Sequence, residues 1–171
     1  VALHDNKKGT LEATVTYSDG TQTVFTNTYA AEGPATITGK KVIVNRGFNA
    51  DDTMQVTITA DDGGKLPSPA TIDVDLTAGN DEAVYNFAAI TYTLEDLQKD
   101  GNEYKDKTYT YTVTETVTMP GTTPDTLTHK VYVTMHDNRN GTVEATVTYS
   151  DGTQTVFTNT YTVAGPATIT G

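Results

Sequence analysis

The chain has 171 residues and a formal net charge of −11, with 37 Thr, 10 Tyr, no Trp and no Cys. The absence of Cys excludes thiol catalysis, thiolate metal sites and disulfide stapling, and the acidic balance excludes nucleic-acid binding, which needs Lys and Arg against phosphate. No apolar run approaches the length of a membrane span, and the wealth of Thr and Tyr favours pleated strands.

The chain opens on a segment that it later repeats. Residues 1–39 match residues 133–171 at 31 positions with a constant offset of 132, and His4–Tyr29 returns nearly unchanged as His136–Tyr161. A period of that size is a domain-sized bead, longer than the 20–50 residues typical of solenoid units. The expected organisation is a tandem array: 1–32 as closing strands of a preceding repeat, 33–162 as one complete repeat, and 163–171 as linker and first strand of the next. Gly33-Pro34 and Gly165-Pro166 read as hinges between beads.

Within the repeat, turn signals at short spacing separate strands expected at 35–45, 54–60, 71–76, 84–93, 108–118, 127–136, 142–149 and 154–162. Asp61-Asp62-Gly63-Gly64 marks a tight turn, and Pro67 and Pro69 mark a loop or an edge strand. Leu94–Gln98 offers the one helical turn. Met119 to Asp125, with Pro120, Gly121 and Pro124, reads as an exposed loop. Ser150-Asp151-Gly152 joins two alternating runs as a hairpin, as Ser18-Asp19-Gly20 does in the first copy. The fold class is all-β, a sandwich.

Strand side chains alternate between faces. Along 108–118, Tyr109, Tyr111, Val113, Glu115 and Val117 share one face, and Thr fills every position of the other. Glu115 therefore sits among core residues. Along the last strand, Asn159 shares a face with Phe157, Tyr161 and Val163. A buried carboxylate and a buried amide each need a partner. The first strand supplies a lysine, either Lys40, which shares a face with Val42 and Val44, or Lys41, which shares one with Ile37 and Ile43. Parity does not choose between them.

The ordered set Lys41-Val42-Ile43-Val44-Asn45-Arg46, Tyr109–Glu115, Val131–Met135, Thr146–Gly152 and Phe157–Tyr161 resembles the streptococcal pilin isopeptide-linkage domain, a CnaB-like, immunoglobulin-type sandwich of Gram-positive pili and adhesins. The resemblance spans nearly the whole repeat. The family tends to carry Gly where this chain has Asn45, and its lysine is not doubled; alignment favours Lys41 over Lys40.

The resemblance implies a crosslink, in which the Lys41 amine attacks the Asn159 side-chain carbonyl and ammonia leaves. An apolar pocket keeps the amine neutral. Glu115 in its protonated form assists by polarising the carbonyl and passing a proton to the departing nitrogen. Such a reaction happens once per chain, so it is self-modification and not enzyme turnover. Asn27 is the counterpart of Asn159 in the partial first repeat, and its partners would lie upstream.

The function expected is therefore a structural stalk or fibre repeat of an extracellular, wall-attached adhesin or pilus-like protein. Its partners are neighbouring repeats, with a host ligand bound by other parts of the parent protein. Exchange of the two near-identical hairpins between chains is a further route to a homopolymer. Two other function classes are a glycan- or matrix-binding adhesion module and an accessory domain of a secreted carbohydrate-active enzyme. No cofactor or metal is expected: Asp51-Asp52, Asp61-Asp62 and Asp137-Asn138 lack the spacing of a calcium loop, and His4, His129 and His136 lack that of a zinc site.

Overall fold

The computed structural model describes residues 1–165. The opening segment contributes two short strands, β1 (Ala2–Asp5) and β2 (Leu11–Thr14), paired as an exposed antiparallel hairpin. Then come β3 (Glu32–Ala35), β4 (Thr38–Val44), β5 (Thr53–Ala60), β6 (Thr71–Asp73), β7 (Glu82–Asn86) and β8 (Ile90–Thr93). A single 3₁₀ turn (Leu94–Asp96) precedes β9 (Gln98–Asp100), β10 (Glu103–Lys105) and the long β11 (Lys107–Thr118). The chain finishes with β12 (Thr122–Thr123), β13 (His129–Asp137), β14 (Val143–Tyr149) and β15 (Thr155–Tyr161).

Two sheets carry the fold, a five-stranded one ordered β14-β13-β11-β5-β6 and a four-stranded one ordered β12-β15-β4-β7. The alternation read in β11 is realised: Tyr109, Tyr111 and Val113 are buried, while the Thr face stays exposed or half-buried. With Val56, Ile58, Val131 and Val133 from the same sheet, they form one wall of the core. Ile37, Ile43, Tyr85 and Phe157 form the other wall. The fold is thus the all-β sandwich expected, and most of its sheet neighbours are antiparallel.

One pairing departs from that rule and positions the site. β15, the last strand, lies parallel to β4, with Phe157 opposite Lys41 and Asn159 opposite Ile43. Beginning and end of the repeat therefore run side by side in the same direction.

Two strands expected to be continuous are each broken in two. The stretch 35–45 divides into β3 and β4, and 84–93 divides into β7 and β8. The breaks face one another: Thr38 pairs with Asn86 and Ala35 with Ile90, so residues 36–37 oppose residues 87–89. The ladder is interrupted there, and β3 and β8 form a two-stranded sheet of their own.

Gly33 and Pro34 are not a free hinge, because both lie within β3, opposite Tyr92 and Thr91. A Cβ on Gly33 would stand 1.7 Å from the Val143 carbonyl oxygen, so glycine is required by close backbone approach. The second hinge, at Gly165-Pro166, runs into residues outside those described.

The nonapeptide Thr153–Tyr161 recurs letter for letter at Thr21–Tyr29, and the two copies differ in conformation. The later copy includes β15, with Phe157 2% exposed; the earlier one is irregular, with Phe25 90% exposed. Strand formation here is decided by the neighbour: β15 has β4 beside it and Thr21–Tyr29 has no such ladder. Tyr29 ties the early copy to the repeat: its hydroxyl donates to Asp137 Oδ1 (2.6 Å) and accepts from the Gly141 N–H (3.2 Å).

Candidate functional site

β4 alternates between an inner and an outer face, and the structure separates the two lysines that parity left open. Lys41 is wholly buried with Gly39 and Ile43. Lys40 faces outward, and its Nζ lies 2.8 Å from Glu82 Oε1 on a partly exposed surface. Burial pushes the Lys41 amine below its ordinary value of 10.5, and Glu115 only partly offsets this. The neutral, nucleophilic form is therefore more accessible than in a surface lysine.

Glu115 enters from the opposite sheet. It sits on β11 opposite Val56, its side chain is 6% exposed, and its Oε2 is 2.5 Å from Lys41 Nζ. Asn159 enters from β15 and is fully buried. It is offset from Lys41 by two residues along parallel neighbouring strands, on the same inner face. The three residues singled out in the sequence thus come together from three strands and both sheets.

The contacts of Asn159 are asymmetric. Its Oδ1 accepts a hydrogen bond from the Asp125 backbone N–H at 3.1 Å, whereas its Nδ2 faces the Met119 sulfur at 3.8 Å. The same N–H reaches Glu115 Oε1 at 3.4 Å. The site thus places an amine, a carboxyl group, an amide and one backbone donor together in a largely buried spot between the sheets. That combination is suited to amide exchange between side chains, because proximity supplies the effective concentration and the apolar walls supply a neutral amine.

Residues 119–125 are exposed at Pro120, Gly121, Thr123 and Pro124, as expected of a loop, but the other three are buried or half-buried. Met119 is buried, Thr122 and Thr123 form β12 against β15, and the Asp125 side chain is 6% exposed. Asp125 ties the loop down: its Oδ2 accepts from the Thr158 N–H and its Oδ1 from the Leu127 N–H, both at 2.8 Å. Burial works against this carboxylate, but those two N–H groups hold it below the usual carboxylate range.

His129 is a second site neighbour that sequence reasoning passed over. Its ring is buried edge-on to Phe157 at 4.3 Å, with Nδ1 2.5 Å from Asp151 Oδ2 and Nε2 3.6 Å from Asp125 Oδ1. The signal was available, since His129 shares the inner face of β13 with Val131, Val133 and Met135. No comparable signal marks Asp125, because a loop has no periodicity.

Asn45 follows β4 with φ at +72°, a left-handed conformation that Gly adopts freely and Asn tolerates best among other residues. Its Nδ2 donates to the Tyr161 carbonyl at 3.1 Å, joining the end of β4 to the end of β15. The departure from Gly at this position thus keeps the backbone geometry and adds a cross-strand hydrogen bond. Asn27, the counterpart of Asn159, is exposed in the irregular stretch of the opening segment.

Among the described residues, no group of three or more His, Cys, Asp or Glu side chains is arranged to hold a metal, and no helix is long and apolar enough to cross a membrane. A family model described as FctA, a Spy0128-like isopeptide containing domain, matches residues 1–30 and 37–162. No curated protein matches the chain.

Proposed function

The chain belongs to the family of Spy0128-like isopeptide-containing domains, structural domains of pili and adhesins, and from that premise we propose that it crosslinks itself through Lys41 and Asn159. The observation that carries the reading is the meeting of a fully buried Lys41 with a nearly buried Glu115 at 2.5 Å, beside a buried Asn159. The Lys41 amine attacks Asn159 Cγ, Glu115 moves protons between the two nitrogens, and ammonia leaves. The chain reacts once and releases no reusable catalyst, so this is maturation and not enzymology.

The bond would join β4 to β15 and serve a load-bearing role. Residues 33–162 act as one bead of a stalk on the surface of a Gram-positive cell, anchored to its wall, and residues 1–32 complete a preceding bead. Force entering ahead of β4 crosses to β15 at the crosslink and leaves toward residue 162. A Cys-free domain gains a disulfide's benefit by this route without dependence on redox conditions.

Intact mass tests the reading. The purified chain is expected to weigh one ammonia less than its sequence, and Glu115→Ala is expected to restore the full mass while the chain stays folded. A folded wild-type chain of full mass would leave the three residues as a buried polar cluster with no covalent role.

A further inference from the structure

The geometry points to the backbone N–H of Asp125 as the donor that stabilises the oxyanion formed on Asn159, with the Asp125 carboxylate holding that N–H in place. This rests on the crosslinking reading above and adds a group to it that no side-chain comparison would find.

When Lys41 Nζ adds to Asn159 Cγ, a C–N bond forms and the carbonyl π electrons move onto Oδ1. Charge therefore develops on the atom that the Asp125 N–H already contacts at 3.1 Å. The adduct then collapses: the electron pair returns from Oδ1, the Cγ–Nδ2 bond breaks, and Nδ2 departs as ammonia. Glu115 takes a proton from Nζ and delivers one to Nδ2, so lysine amine plus amide gives substituted amide plus ammonia. A donor aimed at the developing charge in a dry site is among the strongest levers on such a reaction.

The surroundings suit that division of labour. The oxygen that must carry charge has a firm N–H donor, while the nitrogen that must leave faces only the weakly accepting Met119 sulfur at 3.8 Å. The Asp125 N–H lies closer to Asn159 Oδ1 than to Glu115 Oε1, at 3.1 against 3.4 Å. Its direction is fixed by the carboxylate, which spans from the Thr158 N–H on β15 to the Leu127 N–H in the loop. His129, itself held by Asp151, stands behind Asp125 Oδ1 at 3.6 Å. Asp125 therefore contributes one reacting contact through its backbone and positions that contact through its side chain.

The test replaces the N–H alone. The full chain is made in a brief pulse of cell-free synthesis, with the α-hydroxy analogue of aspartate inserted at 125 so that an ester oxygen stands in place of N–H. Timed intact-mass measurements follow the loss of ammonia. The ester chain is expected to lose it on the order of 100-fold more slowly than wild type. Asp125→Ala is expected to be slowed as well, and Asp125→Asn, which keeps an oxygen to accept from Thr158, to recover most of the rate. Because Asp125→Ala also frees the loop and risks unfolding it, the ester chain, which keeps every side-chain contact, decides the matter. The N–H does not titrate, so the pH profile of the ester chain keeps the wild-type midpoint at reduced height. An ester chain that reacts as fast as wild type, or one whose midpoint shifts, overturns the donor role while leaving the crosslink standing. A wild-type chain that never loses ammonia removes the crosslink and this role together.

Discussion

Asn159→Ala removes the proposed electrophile yet leaves the Lys41–Glu115 pair intact, so it separates the bond from the pocket that makes it. The proposed crosslink would close a loop of 118 residues, 159 minus 41. By the loop-entropy relation used for disulfides, a closure that long stabilises by about 5 kcal/mol. Loss of the amide also leaves the Asp125 N–H with one partner fewer, a further cost of about 1 kcal/mol. In a unit of this size 1 kcal/mol moves the melting midpoint by roughly 3–5 °C, so the variant is expected to melt at least about 15–20 °C below wild type. Lys41→Met removes the same bond from its other end. If both single variants lose one shared crosslink, the double variant loses it only once, and the cycle shows a coupling of about 5 kcal/mol, well above the range of ordinary contacts. Calorimetry and intact mass on the same samples provide the assay. Additive losses in the cycle, or a lightened wild type no more stable than Asn159→Ala, would refute the reasoning.

The remaining expectations concern pH, the turns and the free segment. Because burial lowers the Lys41 amine from 10.5, ammonia loss should accelerate as pH rises through that lowered value. In chains that carry Asn159→Ala, the same shift has a defined sign: the stability contributed by Lys41 is fully present above 10.5 and is lost as pH falls through the folded-state value. Comparing denaturation with and without Lys41→Met in that background from neutral to alkaline pH reads this difference directly. Arg46 grips Asp52 through two hydrogen bonds of 2.6 and 3.0 Å and holds that carboxyl below its ordinary value. Arg46→Ala is expected to cost about 3 kcal/mol by urea denaturation, since it strands a buried carboxylate. Gly39→Ala would set a methyl group 2.2 Å from the Tyr85 hydroxyl and 2.9 Å from the Thr155 carbonyl. Its expected cost is about 3 kcal/mol or more, read as a lowered melting midpoint. Brief chymotrypsin treatment should cut after Phe25 and spare Phe157, although the flanking residues are identical.

Much of the site was legible because two strands carry a clean period of two. In β11 an unbroken Thr face leaves Glu115 as the charged group set among apolar neighbours, with Lys107 only at the strand's start, and in β15 Asn159 stands out beside Phe157 in the same way. β4 gave no such contrast. Val42 and Val44 make its outer face look apolar, yet both are partly exposed beside Lys40, so hydrophobicity could not rank the faces. Only the placement of the strand between β15 and β7 does that. The breaks between β3 and β4 and between β7 and β8 are not visible in the sequence because the interruption of a ladder is a relation between two chain segments, and neither segment announces it alone. Asp125 was missed for a similar reason: its importance lies in a backbone N–H, which every residue but proline has. The duplicated nonapeptide gives the sharpest case, since identical letters form a strand at one end of the chain and irregular structure at the other.

The parallel pairing of β4 with β15 also fixes a sequence of events. A polypeptide is made from its N-terminus, so Lys41 exists for the whole time needed to build the following 118 residues before Asn159, its proposed partner, appears. Until then β4 lacks the neighbour that completes its sheet, and the contact it awaits is among the most distant in the chain, the kind that forms slowly. A nascent copy therefore stays uncommitted until its final strand emerges, and only then could the proposed bond shut it permanently.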